Sequence, residues 1–308
     1  MKTIRRILIN GYVTLLLATT IATALMFPWS IDPQGDESFR QESQDFYDKA
    51  YAKEAGSASD SVYKESAERS TLITKTAEIV ADFVNRYGLK DKKILEVGAG
   101  SGLLQDTVED YTGLDIAGSA RRFYHKPFVQ ASATRMPFPD NTFDALWTFR
   151  VLEHIPNPEK ALIEMRRVIK PGGFILLHFA NDVDRYAAQG HRVRPYSDFD
   201  IWGRTKKATI AIHDSNAFLN LHVRQVRLLR SLGSRLGGGA SRLHFIKLDA
   251  NYDQYWVGDS DAPISVSYHE VRLWFTSRGD QCELCSTEWD LIFNLPTLEP
   301  YLFIRVNK

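Results

Sequence analysis

The chain has 308 residues, of which 44% are hydrophobic, and its 38 basic and 38 acidic residues give a formal net charge of zero. This length and composition are enough to bury one large core with insertions, or two smaller cores. A balanced charge gives no electrostatic reason to expect a nucleic-acid partner, because phosphate-binding surfaces normally carry an excess of lysine and arginine. We therefore expect a small-molecule, lipid or glycan substrate and no nucleic acid.

The first predicted element is a helix long enough to cross a membrane. Residues 7–29 contain no charged residue, and a helix over this stretch would span about 34 Å, more than a hydrocarbon layer of about 30 Å. A single-pass anchor is favoured, and the basic residues before it would leave the N-terminus in the cytoplasm. A signal peptide with the small-residue pattern Ala22-Thr23-Ala24 at its cleavage site is the alternative.

A polar segment and a helix follow. Residues 30–70 are acidic and contain a Gly-Ser patch at residues 56–59, which indicates a linker and a short helical cap. The aromatic residues of this cap are expected to pack on the next domain rather than to line a pocket: Phe46, Tyr47 and Tyr51. From Thr71 the apolar residues recur at helical spacing up to Gly88, a suitable C-terminal cap.

The most informative stretch is a strand, Ile94 to Val97, that ends in a loop with glycines at positions 98, 100 and 102. Because glycine lacks a Cβ, such a loop can adopt unusual dihedral angles and allow a ligand to approach the main chain. A dinucleotide fingerprint, G-x-G-x-x-G, would require a third glycine at position 103, which is Leu103. A second strand ends at Asp115, whose carboxylate could accept hydrogen bonds from both hydroxyls of a ribose.

Further blocks follow in a fixed order. A helix is predicted from Asn157-Pro158 to the Pro-Gly-Gly turn at residues 171–173, and Phe174 to Phe179 is a strand of the kind buried in parallel sheets. The blocks themselves are Ala131–Phe138, Phe143–Trp147, Val151–Ile155 and Ile169–Gly173. Together with the glycine loop, they resemble the class I S-adenosylmethionine-dependent methyltransferases of the type 11 branch, over roughly Thr71 to Phe179.

This resemblance implies a fold and a cofactor. The fold is α/β, a Rossmann-like doubly wound sheet of seven strands, mostly parallel with an antiparallel last strand, and the cofactor is S-adenosylmethionine. The methionine end would be held by Glu96, Gly98, Ala99, Gly100 and Gly102, the ribose by Asp115, and the adenine by Ser132, Ala133 and Met136. Many relatives have an aspartate where this chain has Ser132, so the acceptor for the adenine amino group is a weaker one.

Methyl transfer depends mainly on the in-line positioning of donor and acceptor. A base is needed only where the acceptor loses a proton, and His154 is the best candidate because an imidazole titrates near neutrality. In similar enzymes the Glu-His pair at this position often tethers the loop instead. His178 and His213 are lesser candidates and are expected to make ordinary polar contacts.

The rest of the chain extends the predicted core. Residues 181–262 form an insertion, which is the expected acceptor-specificity region and contains a predicted helix from Ala217 to Leu232. The stretch from Arg224 to Arg242 is basic. It is interpreted equally well as a solvated helix face or as a site for an acidic group. The last segment contains a helix near residues 266–277, a strand or hairpin near 281–286 and a final strand, 301–306. The chain is thus predicted to have five segments. They are the membrane or signal segment at 1–29, the linker and cap at 30–70, the core at 71–180, the insertion at 181–262 and the completion of the sheet at 263–308.

Cys282 and Cys285 are the two cysteines of the chain. Zinc would need two further ligands, which do not accompany them, so the sequence predicts no metal site. A redox pair would normally open a helix in a thioredoxin-like unit. We therefore expect structural thiols.

The leading hypothesis is a membrane-associated S-adenosylmethionine-dependent methyltransferase that acts on a small molecule, lipid or glycan, with oxygen slightly favoured as the acceptor atom. The alternatives are a non-catalytic scaffold of the same fold and, disfavoured by Leu103, an NAD(P)-dependent reductase. An N-terminus in the cytoplasm would place the catalytic domain on the other side of the membrane, where S-adenosylmethionine is not made. The side on which the catalytic domain lies therefore stays open. The oligomeric state also stays open.

Overall fold

The computed structural model describes residues 2–27, 29–31, 36–52, 69, 74–254, 256–293 and 301–308. The Gly-Ser patch at residues 56–59 and the predicted helix start at Thr71 lie outside these residues. The described residues fall into two compact units. The helical unit contains Met1–Ile31, Asn181–Arg278 and Ser286–Leu298, and the sheet unit contains Asp32–Ala180, Gly279–Cys285 and Glu299–Lys308.

The strands are short and are numbered in chain order. They are β1 Trp29–Ser30, β2 Lys93–Val97, β3 Asp110–Asp115, β4 Phe128–Gln130, β5 Phe143–Phe149, β6 Ile169–His178, β7 Phe245–Lys247, β8 Ile264–Ser265, β9 Gln281–Glu283 and β10 Leu302–Arg305.

The α-helices are numbered in the same way. They are α1 Lys2–Met26, α2 Asp36–Ala52, α3 Thr76–Tyr87, α4 Pro158–Val168, α5 Ile201–Ala208, α6 Ile210–His213, α7 Asn216–Phe218, α8 Arg224–Gly237, α9 Tyr268–Thr276 and α10 Glu288–Phe293.

The sheet unit is built on a seven-stranded sheet with the order β4-β3-β2-β5-β6-β10-β9. Strands β4, β3, β2, β5 and β6 are parallel, and β10 is antiparallel to both of its neighbours. The central strands are apolar and buried, as expected where both faces of a sheet are covered. The predicted fold class is confirmed, including the antiparallel last strand.

The helices of the sheet unit begin and end for local reasons. Helix α3 buries Val80, Phe83 and Val84, and it ends at Gly88, whose φ of 62° lies in the left-handed region. Helix α4 has Pro158 in its first turn and is capped by Asn157, whose side chain accepts a hydrogen bond from the Lys160 amide.

The predicted end of α4 is wrong by a few residues. The helix stops at Val168, and the Pro-Gly-Gly residues already belong to β6, which starts at Ile169. The physical reason is Pro171, because the residue before a proline is disfavoured in helical conformation. The chain must therefore leave the helix before Lys170.

The helical unit contains a three-stranded antiparallel sheet with the order β1-β7-β8, which the sequence did not predict. The helix predicted from Ala217 to Leu232 is present as α7, a π-helical stretch at Leu219–Val223, and α8. Helix α8 is followed by Gly238 with a φ of 63°. The α-helices of the insertion thus all lie between residues 201 and 237 within the described part of the chain.

Helix α1 presents its apolar side chains outward. The helical segment Thr3–Met26 is long and apolar enough to cross a membrane, and a signal sequence has the same property. Ile7, Leu8 and Leu25 are 65%, 67% and 73% exposed. In a folded protein in water, ten such exposed apolar side chains on one helix would be unfavourable.

The two cysteines are oxidised, which corrects the expectation of thiols. Cys282 and Cys285 form a disulfide with their Cα atoms 5.7 Å apart. Leu284, between them, has a φ of 53°, and this turn brings the two side chains to bonding distance after β9. Sequence spacing alone could not reveal the turn.

Candidate functional site

A cavity of about 190 Å³ opens in the sheet unit where β2, β3 and β5 end. Strand β2 has β3 on one side and β5 on the other, so the chain order reverses there, and such switch points are where open α/β sheets bind ligands. Eight of the residues predicted from the sequence line this cavity: Glu96, Gly98, Ala99, Gly100, Asp115, Ser132, Ala133 and His154.

The three loop glycines all have positive φ, of 67°, 50° and 70° at Gly98, Gly100 and Gly102. A Cβ on Gly98 would lie 2.2 Å from Val151 Cγ2, and one on Gly100 would lie 2.6 Å from the Tyr51 hydroxyl oxygen. Side chains are therefore excluded at these positions both by backbone conformation and by space. Gly102 does not line the cavity, and a Cβ there would meet the ring of Tyr124.

Asp115 is buried at the end of β3 and faces the glycine loop. Its Oδ2 accepts a hydrogen bond from the Gly100 amide at 2.8 Å, and its Oδ1 accepts one from the Ala117 amide at 2.9 Å. Each carboxylate oxygen keeps a further lone pair, so two hydroxyl donors of a ribose can still be accepted. Burial raises the pKa of Asp115, and the two amides act in the opposite direction.

Glu96 lies in β2 directly before the loop and is 6% exposed. Its Oε2 accepts a hydrogen bond of 2.6 Å from the Tyr111 hydroxyl. Burial raises the pKa of Glu96 to about 7, although the bond from Tyr111 favours the ionised form. With a pKa of about 7, the carboxyl group would ionise readily when a cation binds beside it.

The residues predicted for the adenine are only partly brought together. Ser132 and Ala133 line the cavity, and Ser132 Oγ accepts a hydrogen bond of 3.2 Å from the Thr134 amide. Met136 is buried but does not line the cavity, and its amide donates to Glu164 Oε2 at 2.8 Å. The adenine roles stay predictions.

Helix α2 closes one side of the cavity. Tyr47 and Tyr51 line the wall as well as packing on Ala117 and Ala120, so packing and lining both occur where packing alone was expected. Ser119 fixes the helix, since its amide donates to Asp48 Oδ1 at 2.9 Å and its hydroxyl donates to the Asp48 carbonyl at 2.8 Å. Phe46 lies in the same aromatic cluster.

His154 lines the cavity and contacts Tyr47 edge to face, with ring centroids 6.1 Å apart. Its neighbour Glu153 is fully buried and accepts a hydrogen bond of 2.8 Å from the Ala180 amide. The contact of Glu153 is compatible with the tethering role expected for the Glu-His pair. His154 is left facing the cavity.

The sequence reasoning missed Arg150, which also lines the cavity. This residue follows β5 and has a φ of 57°, a backbone conformation that residues other than glycine rarely adopt. Its amide donates to the His178 carbonyl at 2.8 Å, which holds the turn. The only signal in the sequence was a charged residue between an apolar strand and the next block.

The two lesser histidine candidates lie elsewhere. His178 is buried in β6 and stacks on Tyr301, with ring centroids 4.3 Å apart. His213 belongs to the helical unit, where its Nδ1 lies 2.8 Å from the Tyr186 hydroxyl. Neither residue lines the cavity of the sheet unit.

Comparisons with known proteins bear on this site. Residues 95–193 match the type 11 family model described as "Methyltransferase domain". The sterol 24-C-methyltransferase of Gibberella zeae is 29% identical over 191 residues, which are 55% of this chain and 46% of the relative. The ubiquinone/menaquinone biosynthesis C-methyltransferase of Cronobacter sakazakii is 35% identical over 109 residues, 35% of this chain and 41% of the relative.

Solved structures give a weaker comparison. An amino pentose methyltransferase from Micromonospora echinaspora with bound S-adenosylmethionine is 22% identical, covers 38% of this chain and 56% of that chain, and has a TM-score of 0.34. The chain spans about half the length of the curated relatives it matches.

Proposed function

We propose, from the premise that residues 95–193 form a class I S-adenosylmethionine-dependent methyltransferase domain of the type 11 branch, that the whole chain methylates a lipid-like small molecule at a membrane. The observation that carries the proposal is the cavity at the ends of β2, β3 and β5. There, a backbone without side chains faces a buried carboxylate, Asp115, that keeps lone pairs for a ribose.

The residues of the cavity fit this cofactor. Gly98 and Gly100 leave the loop bare where any Cβ would collide with a neighbouring side chain, and the acidic Glu96 suits the cationic methionine end. S-adenosylmethionine, when bound, supplies an electrophilic methyl group. The protein then binds and orients the two reactants, and orientation of this kind can contribute about 7–11 kcal/mol.

An acceptor of low polarity is supported by the apolar part of the cavity lining. The wall there carries apolar side chains, including Leu103, Phe149, Val151 and Ile155, which would contact an apolar acceptor. Relatives named as sterol and quinone methyltransferases are compatible with such an acceptor.

For an oxygen acceptor, His154 is the proposed general base. Its imidazole faces the cavity beside Tyr47, and a hydroxyl acceptor must lose its proton as the new bond to carbon forms. The proton would pass to a ring nitrogen of His154 and from there to solvent.

Calorimetric titration of the full chain tests the proposal. Binding of S-adenosylmethionine, together with no heat from NAD, is the expected result. Binding of NAD alone would favour a reductase, and no heat from either cofactor would favour a scaffold. Incubation with methyl-labelled S-adenosylmethionine and a membrane lipid extract then identifies the acceptor, and label found only in water-soluble products would contradict the lipid acceptor.

We further propose that α1 anchors the chain and that the sheet unit lies on the non-cytoplasmic side. The outward apolar side chains of α1 support the anchor, and the basic residues before it support this orientation. The Cys282–Cys285 disulfide supports the same side, since disulfides persist in oxidising compartments. The cofactor would then have to be supplied across the membrane.

The anchor is tested by washing membranes at alkaline pH and determining the N-terminal sequence of the retained protein. An intact N-terminus in the membrane pellet is expected. A soluble protein that begins near residue 25 would show that the segment is a cleaved signal. Digestion of sealed vesicles by an external protease reports the side of the membrane.

A further inference from the structure

The helical unit contains a second cavity, of about 250 Å³, at the point where the chain leaves α1. Trp29 lines it, and Phe27, directly after the helix, is buried at 4% exposure. Its wall is rich in charged and aromatic groups, among them Arg185, Tyr186, His213 and His222. The proposed methyl transfer uses none of these residues.

Every carboxylate on this wall is already held by an arginine other than Arg185. Arg192 binds both Asp184 and Asp214, the latter through two hydrogen bonds. Arg227 donates to Asp182 at 2.6 Å, and Arg230, which is not on the wall, donates twice to Glu270. The acidic groups therefore have their charge compensated by contact.

Arg185 is the exception among the cations of the wall. Its guanidinium lies over the ring of Phe27, 5.5 Å from the centroid, and within the described residues it makes no hydrogen bond or ion pair. Its Nη1 is buried, and no described residue offers it a hydrogen-bond acceptor. Burial lowers the pKa of Arg185, and the more distant charges of Asp182 and Asp184 offset this effect only in part.

Two histidines on the same wall are also incompletely bonded. His213 Nδ1 lies 2.9 Å from the Thr209 carbonyl, which can only accept, so this nitrogen carries the proton and Nε2 carries a lone pair. Among the described residues neither His213 Nε2 nor His222 Nε2 has a hydrogen-bond partner. Burial lowers the pKa of both imidazoles, which favours their neutral forms.

A ligand that satisfies this wall needs negatively charged oxygens for a guanidinium and a hydroxyl for an imidazole. A phosphate monoester supplies the charged oxygens in both of its ionised forms, and its monoanion, which predominates below the second pKa of about 6, also carries a P–OH that can donate to an imidazole nitrogen. The position of the cavity adds a further constraint. It lies at the end of the apolar helix, with Trp29 on the wall, where the head groups of a bilayer would be.

We propose that this cavity binds a phosphate monoester group through Arg185, either on a phospholipid head group or on a free phosphate compound. The lipid source rests on the membrane anchoring proposed above, whereas the phosphate contact does not. Bound phosphate would neutralise Arg185 and brace the junction between α1 and the rest of the helical unit. Its role would be to fix the anchor rather than to take part in methyl transfer.

The test uses the full chain in detergent and follows its melting temperature. Inorganic phosphate and dioctanoyl phosphatidic acid are titrated at constant ionic strength, with dioctanoyl phosphatidylcholine as the lipid that lacks a monoester. The first two ligands are expected to raise the melting temperature, and the third is not. A response to phosphatidic acid alone assigns the site to lipid, and an equal response to inorganic phosphate shows that a free phosphate group is sufficient.

Two variants make the test specific. R185Q is expected to weaken the apparent affinity for the phosphate ligands by about tenfold or more. K206Q is the matched control, since Lys206 also lies over the Phe27 ring, at 5.7 Å, but does not line the cavity. Circular dichroism and the melting temperature without ligand report that each variant is folded. No response of the wild-type chain, or an unchanged response in R185Q, would overturn the proposal.

Discussion

Gly100 is the residue at which the cofactor site can be tested most simply. Replacing it with valine would place side-chain atoms against Tyr51, in a backbone conformation with a φ of 50°. We expect the affinity for S-adenosylmethionine to fall by at least about a hundredfold, since either the loop backbone or Tyr51 would have to move at the wall of the cavity. Calorimetry measures the affinity, and circular dichroism confirms the fold.

The matched control is G172V. Gly172 also has a positive φ, of 77°, but a Cβ there would meet no atom within 4 Å. This variant carries similar backbone strain away from the cavity and should bind the cofactor normally. Equal loss in the two variants would point to strain rather than to the placement of the loop.

Glu96 should make cofactor binding depend on pH. Because its pKa is raised to about 7, the carboxyl group is largely protonated below that pH and must lose a proton before it can attract a cation. The affinity for S-adenosylmethionine should therefore rise with pH toward about 7, by at most about tenfold per pH unit. Calorimetry across this range measures the effect.

Two variants check this assignment. E96Q should remove the pH dependence, since an amide does not titrate. Y111F removes the hydroxyl that stabilises the ionised form of Glu96, so the rise should move to higher pH. A pH profile that is the same in all three proteins would place the titrating group elsewhere.

His154 can be tested once an acceptor is known. If it is the general base, H154A should lower kcat by about a hundredfold to ten-thousandfold and leave the affinity for S-adenosylmethionine nearly unchanged. Added imidazole should restore part of the rate. An unchanged kcat would remove His154 from the chemistry and leave it as a wall residue.

At the scale of elements, the sequence predicted those helix ends that are determined by residues within one turn of the end. Asn157-Pro158 marks the start of α4 because cap and proline act within one turn, and Gly88 marks the end of α3 for a similar reason. The contact of α2 with the cavity was not predictable in this way. It depends on the bonds from Ser119 to Asp48, which are 71 residues apart in the chain.

The Cys282–Cys285 disulfide is a second element set by a turn that the sequence does not reveal. It closes a very short loop, so its loss should lower the free energy of unfolding by only about 2 kcal/mol. Chemical denaturation with and without reductant measures the difference. The double variant C282S/C285S should show no response to reductant, and two reactive thiols in the untreated native protein would contradict the bond.

At the scale of the whole molecule, the sequence predicted one unit much better than the other. The seven-stranded sheet was predicted because the motifs occur in the order found in a known family, and that family has this fold. The helical unit offers no such motifs. Its strand β1 pairs Trp29 with Ile246, and no pattern in a two-residue strand can identify a partner so distant in the chain.

The same contrast applies to the candidate site. Most predicted residues line the cavity because their positions follow from strand ends, as with Asp115 at the end of β3. Arg150 was missed because its role depends on a left-handed turn after β5. Tyr47 and Tyr51 were expected only to pack, since their distance from the cavity depends on how α2 lies on the sheet unit.

A crystal structure of the chain with S-adenosylhomocysteine tests the central claim most directly. We predict that the ribose hydroxyls lie within hydrogen-bond distance of Asp115 Oδ1 and Oδ2, that the amino-acid end lies along Gly98 and Gly100, and that the adenine lies beside Ser132 and Ala133. A ligand bound elsewhere, or a cavity closed by protein side chains at saturating ligand, would contradict the account.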